Sequence, residues 1–470
     1  MRHLALLCIA CTTSISFADT TYLGLYLQGK KIGYSSYQTS PTTLNGKSVL
    51  KCESKTVVDA GLMGSEMSVT IDSATWTSRS GSPLKMTFDT QSGGRSEKVK
   101  ASFAKNSVIL DIENGGIKTH RTLPVPVGVQ VVDDPLTLFL GKHLPNGTSR
   151  TFLVLDPMTA SLMKNRVQFL GPKGTEIKGK RITADLIRIV DPRATTEVYV
   201  NQKGDILRVN APMGITMLPV SRRIALTRDQ RYQPSTDLSL STSLKANKEI
   251  DSPDELTKLT LNIVCDTISD VPSDGFQTST KSPHGWKISI HPPRLGGNKG
   301  RTILEAGAAK PTWVQPSLNM PSESPGFKQL AKQIVGARKD VESAAIAIQS
   351  YVYLNMKPNA GIGVLRDATE VLASKEGVCR DYATLTVTLL RSAGIPARLA
   401  SGLVNWDGTF YYHAWAEAWD GTRWLGIDST TDRPQISAAH VKLSDGNVET
   451  AFSFSFLEKA KIEVLEARKD

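Results

Sequence analysis

Between Thr20 and Thr227 apolar and polar residues alternate in short runs broken by turn formers. The segments "TYLGLYL", "MSVTIDSATWT", "PLKMTFDTQS", "KVKASF", "SVILDIE", "TEVYV" and "DILRV" carry the period of two that sends successive side chains to opposite faces of a strand. Ala104-Lys105-Asn106 and Gln202-Lys203-Gly204 read as hairpin turns, and only "DPLTLFLGKHL" suggests a short helix. The pattern predicts a large antiparallel β domain over 19–228. His120 and His143 stand alone in it, so each is assigned an ordinary surface or packing role.

A smaller β segment over 229–308 follows, carried by "LTKLTLNIVCD" and "WKISIHPPR". Gly- and Pro-rich stretches, "RLGGNKG" and "KPTWVQPSLNMPSESPG", mark a connection, with a linker placed at 309–326. The period then changes. Phe327, Leu330, Ala331 and Ile334 recur at helical spacing, and after Gly336 so do Val341, Ala344, Ala345, Ile348 and Tyr351 or Val352. A third helix is "RDATEVLAS". A fourth starts at Cys379 with the stripe Tyr382, Leu385, Leu389 and Leu390, ends at Gly394, and cannot pass Pro396. Strands return in "ARLASGLV", "TFYYHAWAEAW" and "TRWLGIDST", so 327–470 reads as an α+β domain. The chain is thus expected to be multidomain, mainly antiparallel β first and α+β last.

Length and composition agree, since 470 residues with 40% hydrophobic and 21% charged content exceed one ordinary core and lack the bias of a disordered chain. At the start, Arg2 and His3 precede the apolar "LALLCIA", and Ser16-Phe17-Ala18 supplies small residues where signal peptidase cuts. Residues 1–18 therefore read as a signal peptide, and the mature chain as exported to a periplasm or secreted. A lipid anchor at Cys11 is the competing reading; Cys8 stands where that motif usually has a leucine-like residue. No later stretch approaches the roughly 18 apolar residues of a membrane-spanning helix. The formal charge is +11, yet from Ser324 onward 17 Lys and Arg balance 17 Asp and Glu, so the basic excess lies upstream. In an envelope compartment such a surface suits acidic wall polymer, lipid or protein, or has no particular partner. No aromatic-plus-basic nucleic-acid motif is present. Past the signal, Cys52, Cys265 and Cys379 remain, an odd count. Cys52 and Cys265 are candidates for a disulfide that would leave Cys379 as a thiol.

Three residues of the last domain suit nucleophilic chemistry together. Asp420-Gly421 between "HAWAEAW" and "TRWLGID" is the dipeptide of two-residue hairpins. With that loop Trp419 opposes Thr422, Glu417 opposes Trp424, Trp415 opposes Gly426, and His413 opposes Asp428. Opposed residues share a face about 4.5–5.5 Å apart, close enough for a carboxylate to orient an imidazole. Cys379, at a helix start, lies where unpaired N–H groups and the helix dipole favour a thiolate. Its own N–H is a candidate oxyanion donor, with Tyr351, Tyr353 and Trp415 as candidates for the second. Gly377 is expected to leave room for a substrate carbonyl. Asp381 needs only the dipole as its reason, Glu417 is expected at the surface, and Trp406, Trp415, Trp419 and Trp424 are expected in core and cleft wall.

From about Phe327 to Lys442 the chain resembles the transglutaminase-like superfamily, the papain-like Cys-His-Asp fold. The resemblance is carried by "DATEVLASKEGVCRDYATLTVTLLRSAGIPARLASGL", "HAWAEAW", "RWLGIDST" and "AAHVKL". It covers about a quarter of the chain, and the β-rich region ahead of it resembles extensions found in exported bacterial relatives. The resemblance implies Cys379 in G-V-C-R-D as nucleophile, His413 in H-A-W as base and Asp428 as the third member. It further implies a thioester formed from an amide of a protein or peptide, such as an envelope protein or cell-wall peptide, without a cofactor. The acyl group would pass to water, as in a peptidase or amidase, or to an amine. Ser429 departs from the family's usual D-P-T and is expected to be neutral. Two other readings stand beside this one. A zinc site of Cys379, His413 and Asp428 lacks CxxC or HExxH spacing. A non-catalytic binding module would use the β domain and keep a buried, inert thiol.

Overall fold

The computed structural model describes residues 20–469 apart from 63, 178, 192–193, 229–236, 266–267, 269, 296–300, 363–364 and 452–459. The expected signal peptide, with Cys8 and Cys11, lies outside the described residues. Two compact units are present, one of 1–241 with 360–365 and one of 242–359 with 366–470.

The first unit is built on one fifteen-stranded sheet. Strands from Thr21–Leu27 to Ile117–Pro124 each pair antiparallel with the one before, and a second run ends at Ile215–Pro219. Thr21–Leu27 pairs with Ile215–Pro219, with Leu25 opposite Met217, and this joins the two runs. Alternation does what the sequence pattern requires: Phe88 faces Val99 and Ala101 faces Leu110 across neighbouring strands, all four buried. Apart from Val131–Val132, which runs parallel to Ser149–Asp156, these pairings are antiparallel and need only short connections. The expected short helix is a 3₁₀ turn at Pro135–Leu138, capped by Asp134, whose Oδ1 accepts from the Leu136 N–H at 2.8 Å. His120 lies exposed beside Asp111, and His143 is exposed.

The second unit holds the chemistry. The helices that frame the site are α1 (Pro325–Val335), α2 (Val341–Asn355), α3 (Ala368–Ser374) and α4 (Cys379–Ser392). The strands are β1 (Lys258–Val264), β2 (Gln277–Ser282), β3 (Gly285–Ile290), β4 (Ala397–Trp406), β5 (Thr409–Trp419), β6 (Trp424–Ile427), β7 (His440–Gly446) and β8 (Lys461–Arg468). One sheet runs β5-β4-β7, with β6 and the short strand Leu244–Lys245 also on β5. The other runs β2-β3-β1-β8. Leu259, Leu261, Ile263, Ile288 and Ile290 of the second sheet share a core with Trp415, Ala400 and Val441 of the first. The Gln277 side chain joins them: its amide donates to the Lys442 carbonyl at 2.9 Å and accepts the Lys442 N–H at 2.8 Å, as a neighbouring strand would.

The β segment drawn over 229–308 therefore does not stand apart. Three of its strands are completed by β8 at the far end of the chain, because so few strands cannot bury an apolar face alone. Cys265 is a thiol buried in this shared core, so the Cys52–Cys265 disulfide is not formed. Trp406, expected in core or cleft wall, sits at the end of the β4–β5 hairpin and is 73% exposed.

Candidate active site

α4 starts at Cys379 because the preceding residues are clamped. Asp381 in its first turn accepts the Val378 N–H at 2.9 Å, supplying the cap that valine cannot. The same carboxylate meets Arg366 at 3.2 and 3.3 Å, and both side chains are buried. Arg366 also donates to the Glu376 carbonyl and, at 3.0 Å, to Ser374 Oγ. Asp381 thus does more than complement the dipole. Gly377 fits against this pair: a Cβ there would lie 2.6 Å from Arg366 Nη2 and Asp381 Oδ2. Its missing side chain makes room for the ion pair, not for substrate.

β5 carries His413, Trp415 and Glu417 on one face by alternation. The β5–β6 register differs from expectation. Trp419 pairs with Trp424 and Glu417 with Gly426, so the loop has four residues, Asp420–Arg423. The cause is Asp420: its Oδ1, in a side chain that is almost wholly buried, accepts from Thr422 N–H, Thr422 Oγ1 and Arg423 N–H at 2.7–2.8 Å. A shift of two residues keeps every side chain on its face. Asp428 therefore reaches His413 from the diagonal position, and Asp428 Oδ2 lies 2.7 Å from His413 Nε2.

That contact leaves Nδ1 of His413 for its hydrogen bond with Cys379. The Ala414 backbone N–H donates to the sulfur as well. Burial pushes the Cys379 thiol up, but the His413 bond and charge, the Ala414 N–H and Arg380 outweigh it, so it ionises below the ordinary thiol range. Burial disfavours charge on His413 too. The Asp428 carboxylate and the sulfur overcome this and hold its pKa up at about 10. Burial likewise opposes the Asp428 charge, and the two imidazoles beside it hold its carboxyl well below the usual range. These groups together favour a thiolate–imidazolium pair backed by a carboxylate.

Asp428 is fixed from three sides. Its Oδ1 accepts from Thr430 N–H at 2.9 Å and Thr430 Oγ1 at 2.8 Å. Buried Gln349 of α2 donates to the Asp428 carbonyl at 3.3 Å and the Thr431 carbonyl at 2.6 Å. Ser429 hydrogen-bonds Thr386 of α4 at 2.7 Å, which ties the strand end to the cysteine's helix. His440, at the start of β7, lies 3.3 Å from Asp428 Oδ2.

Glu417 is not at the surface. It is fully buried and paired with Arg398 at 2.6 Å and Lys442 at 2.9 Å, beside Asp274 and Asp445. Two buried cations on neighbouring strands make a buried carboxylate tolerable, and no single segment announces that. Of the proposed second oxyanion donors, Trp415 is fully buried in the core and Tyr353 is 37% exposed. His413, Asp428 and His440 are the described side chains close enough together to share a metal ion. Cys379 is outside that group, so the described side chains do not assemble the alternative zinc site of Cys379, His413 and Asp428. The 2.7 Å His413–Asp428 contact is a hydrogen bond, shorter than two ligands of one tetrahedral ion usually stand.

The structure places His413 beside Cys379 and Asp428, the three residues singled out in the sequence, and adds Gln349, Thr430, Arg366 and His440, which sequence reasoning missed. Only His440 left a trace, as the histidine of "AAHVKL", and nothing local says what it faces.

Residues 328–429 match the family model of the transglutaminase-like superfamily. An uncharacterized protein of Mycobacterium tuberculosis is 27% identical over 191 residues, 37% of this chain and 57% of the relative. The chain therefore spans just over half the length of the curated relatives it matches first. Among solved structures, a protein of Cytophaga hutchinsonii provisionally assigned as a cysteine protease matches 44% of this chain and 82% of its own, at 20% identity and a TM-score of 0.30. A β-barrel-like domain of unknown function from Brucella abortus matches 43% of this chain and 96% of its own, at 10% identity and a TM-score of 0.30. The C-terminal part of this chain is a transglutaminase-like domain of helices and strands, and it follows a large β-rich region.

Proposed function

We propose that the protein is a cysteine enzyme that takes an acyl group from an amide and passes it on through a thioester. The observation that carries this reading is the unbroken chain from Cys379 through His413 to Asp428, with the sulfur at a helix start. The Cys379 thiolate attacks the amide carbonyl carbon, and the oxygen takes the negative charge beside the Cys379 N–H. As the C–N bond breaks, His413 gives its Nδ1 proton to the departing amine. Water or an amine then attacks the thioester, His413 takes its proton, and the C–S bond breaks to restore the thiolate. Asp428 keeps Nε2 protonated throughout, so Nδ1 is the nitrogen that exchanges protons.

Hydrolysis is the favoured outcome, with an envelope protein or wall peptide as substrate of an exported enzyme. Hydrolysis is favoured by the resemblance to exported bacterial relatives that are mostly protease-like, and the expected signal peptide and basic upstream region support an envelope substrate. The experiment compares wild type with Cys379→Ala on envelope proteins and wall peptides, following amine incorporation alongside ammonia and peptide release. Wild type is expected to release peptide or ammonia, and Cys379→Ala to release none. If neither product depends on Cys379, the enzyme reading fails.

A further inference from the structure

One carboxylate oxygen, Asp428 Oδ2, is shared by two imidazoles: His413 Nε2 at 2.7 Å and His440 Nε2 at 3.3 Å. The far nitrogen of His440, Nδ1, lies 3.2 Å from the Ser437 carbonyl oxygen. A carbonyl only accepts, so Nδ1 carries a proton. Asp428 already accepts from Thr430 N–H, Thr430 Oγ1 and His413, which is the environment of an ionised carboxylate. Two bare acceptors would repel, so His440 Nε2 carries a proton as well. The His440 ring is then positive, although only 6% of the residue is exposed.

Asp428, facing it from the segment after β6, offsets that charge, while the His413 ring of β5, of like charge, stands 5.8 Å away between ring centroids. Trp415 meets it edge to face at 5.3 Å. Two residues along β7, the Lys442 ammonium is held by Glu417, Asp274 and Asp445, so its charge is compensated locally.

We infer that His440 is a positioning residue of this site, a second imidazolium that aims Asp428 Oδ2 at His413 and divides the carboxylate's charge between two rings. The inference rests on the proposed thiol chemistry. It makes the site a run of alternating charge: Cys379 negative, His413 positive, Asp428 negative, His440 positive. With His413 as its only cation, Asp428 would stabilise the His413 imidazolium more strongly through Nε2. Sharing the carboxylate makes that imidazolium a readier donor of its Nδ1 proton to a departing amine, and the added positive charge favours the thiolate.

The test uses the full chain and iodoacetamide as the probe. In His440→Gln the alkylation rate of Cys379 is expected to reach the wild-type plateau at high pH. Its acidic limb is expected to move up by about half a pH unit or more, since a positive charge near the thiolate is gone. A packing role alone would leave the limb in place, and an unmoved limb in a folded His440→Gln protein overturns the inference. Nitrogen NMR of the wild-type imidazoles decides independently, and it also decides if His440→Gln does not fold. Two protonated nitrogens on His440 support the inference, and one overturns it. If wild-type Cys379 fails to alkylate on the acid side of the ordinary thiol range, the thiol-enzyme reading itself falls, a result distinct from an unmoved limb.

Discussion

Cys379 and His413 titrate in opposite senses, and their pKa directions set a working window. The Cys379 pKa is lowered, so the thiolate is present above that lowered value and lost as pH falls through it. The His413 pKa is raised to about 10, so the imidazolium is present below that value and lost as pH rises through it. Amide cleavage needs both charges, so a rate profile should rise below the ordinary thiol range and fall near pH 10. A rise only at the ordinary thiol pKa would show that the pair does not form. Asp428→Asn keeps a side chain of the same shape but removes the charge that holds the His413 proton and tautomer. Turnover is expected to drop on the order of 10⁴-fold, with the His413 transition moving to lower pH. At this scale the helix start pointed to Cys379, while the expected two-residue loop set His413 directly opposite Asp428, which it meets on the diagonal instead. Glu417 went astray because its burial depends on Arg398 and Lys442, far apart in sequence.

At the scale of elements, two local structures aim the site. The first is the Arg366–Asp381 clamp under α4, which joins the loop before α3 to the cysteine's helix. Arg366→Met leaves Asp381 buried without its cation and is expected to cost about 3–5 kcal/mol. Thermal unfolding would read that as a lower Tm, and a Tm unchanged within error would show that the clamp is not stabilising. The second is the β5–β6 loop. Asp420-Gly421 signalled a tight hairpin, but the buried Asp420 carboxylate gathers three donors and takes four residues instead. Local propensity gave way to a side chain with its own hydrogen bonds. The site survived because the shift was even; a shift of one would have turned His413 away from Asp428.

At the scale of the molecule, the second unit is closed by strands from both of its ends. β8 pairs along the whole of β1, placing Ile462 and Val464 against Ile263 and Leu261. A chain lacking 461–470 is expected to lose cooperative unfolding of this unit, because β1 would gain an open edge above an apolar core. Calorimetry showing the unit's transition unchanged would sink that expectation. The helices of 327–470 and the strand-rich first unit follow from periodicity and turn residues, and motif order names the three candidate site residues. Those are short-range signals, and a chain carries them whether or not it is folded. The partnership of β1 with β8, the buried charges around Glu417, the Arg366–Asp381 clamp and the place of His440 beside Asp428 depend on contacts between distant segments. Burial sets the energy of each of those contacts, and burial exists only once the layers have met.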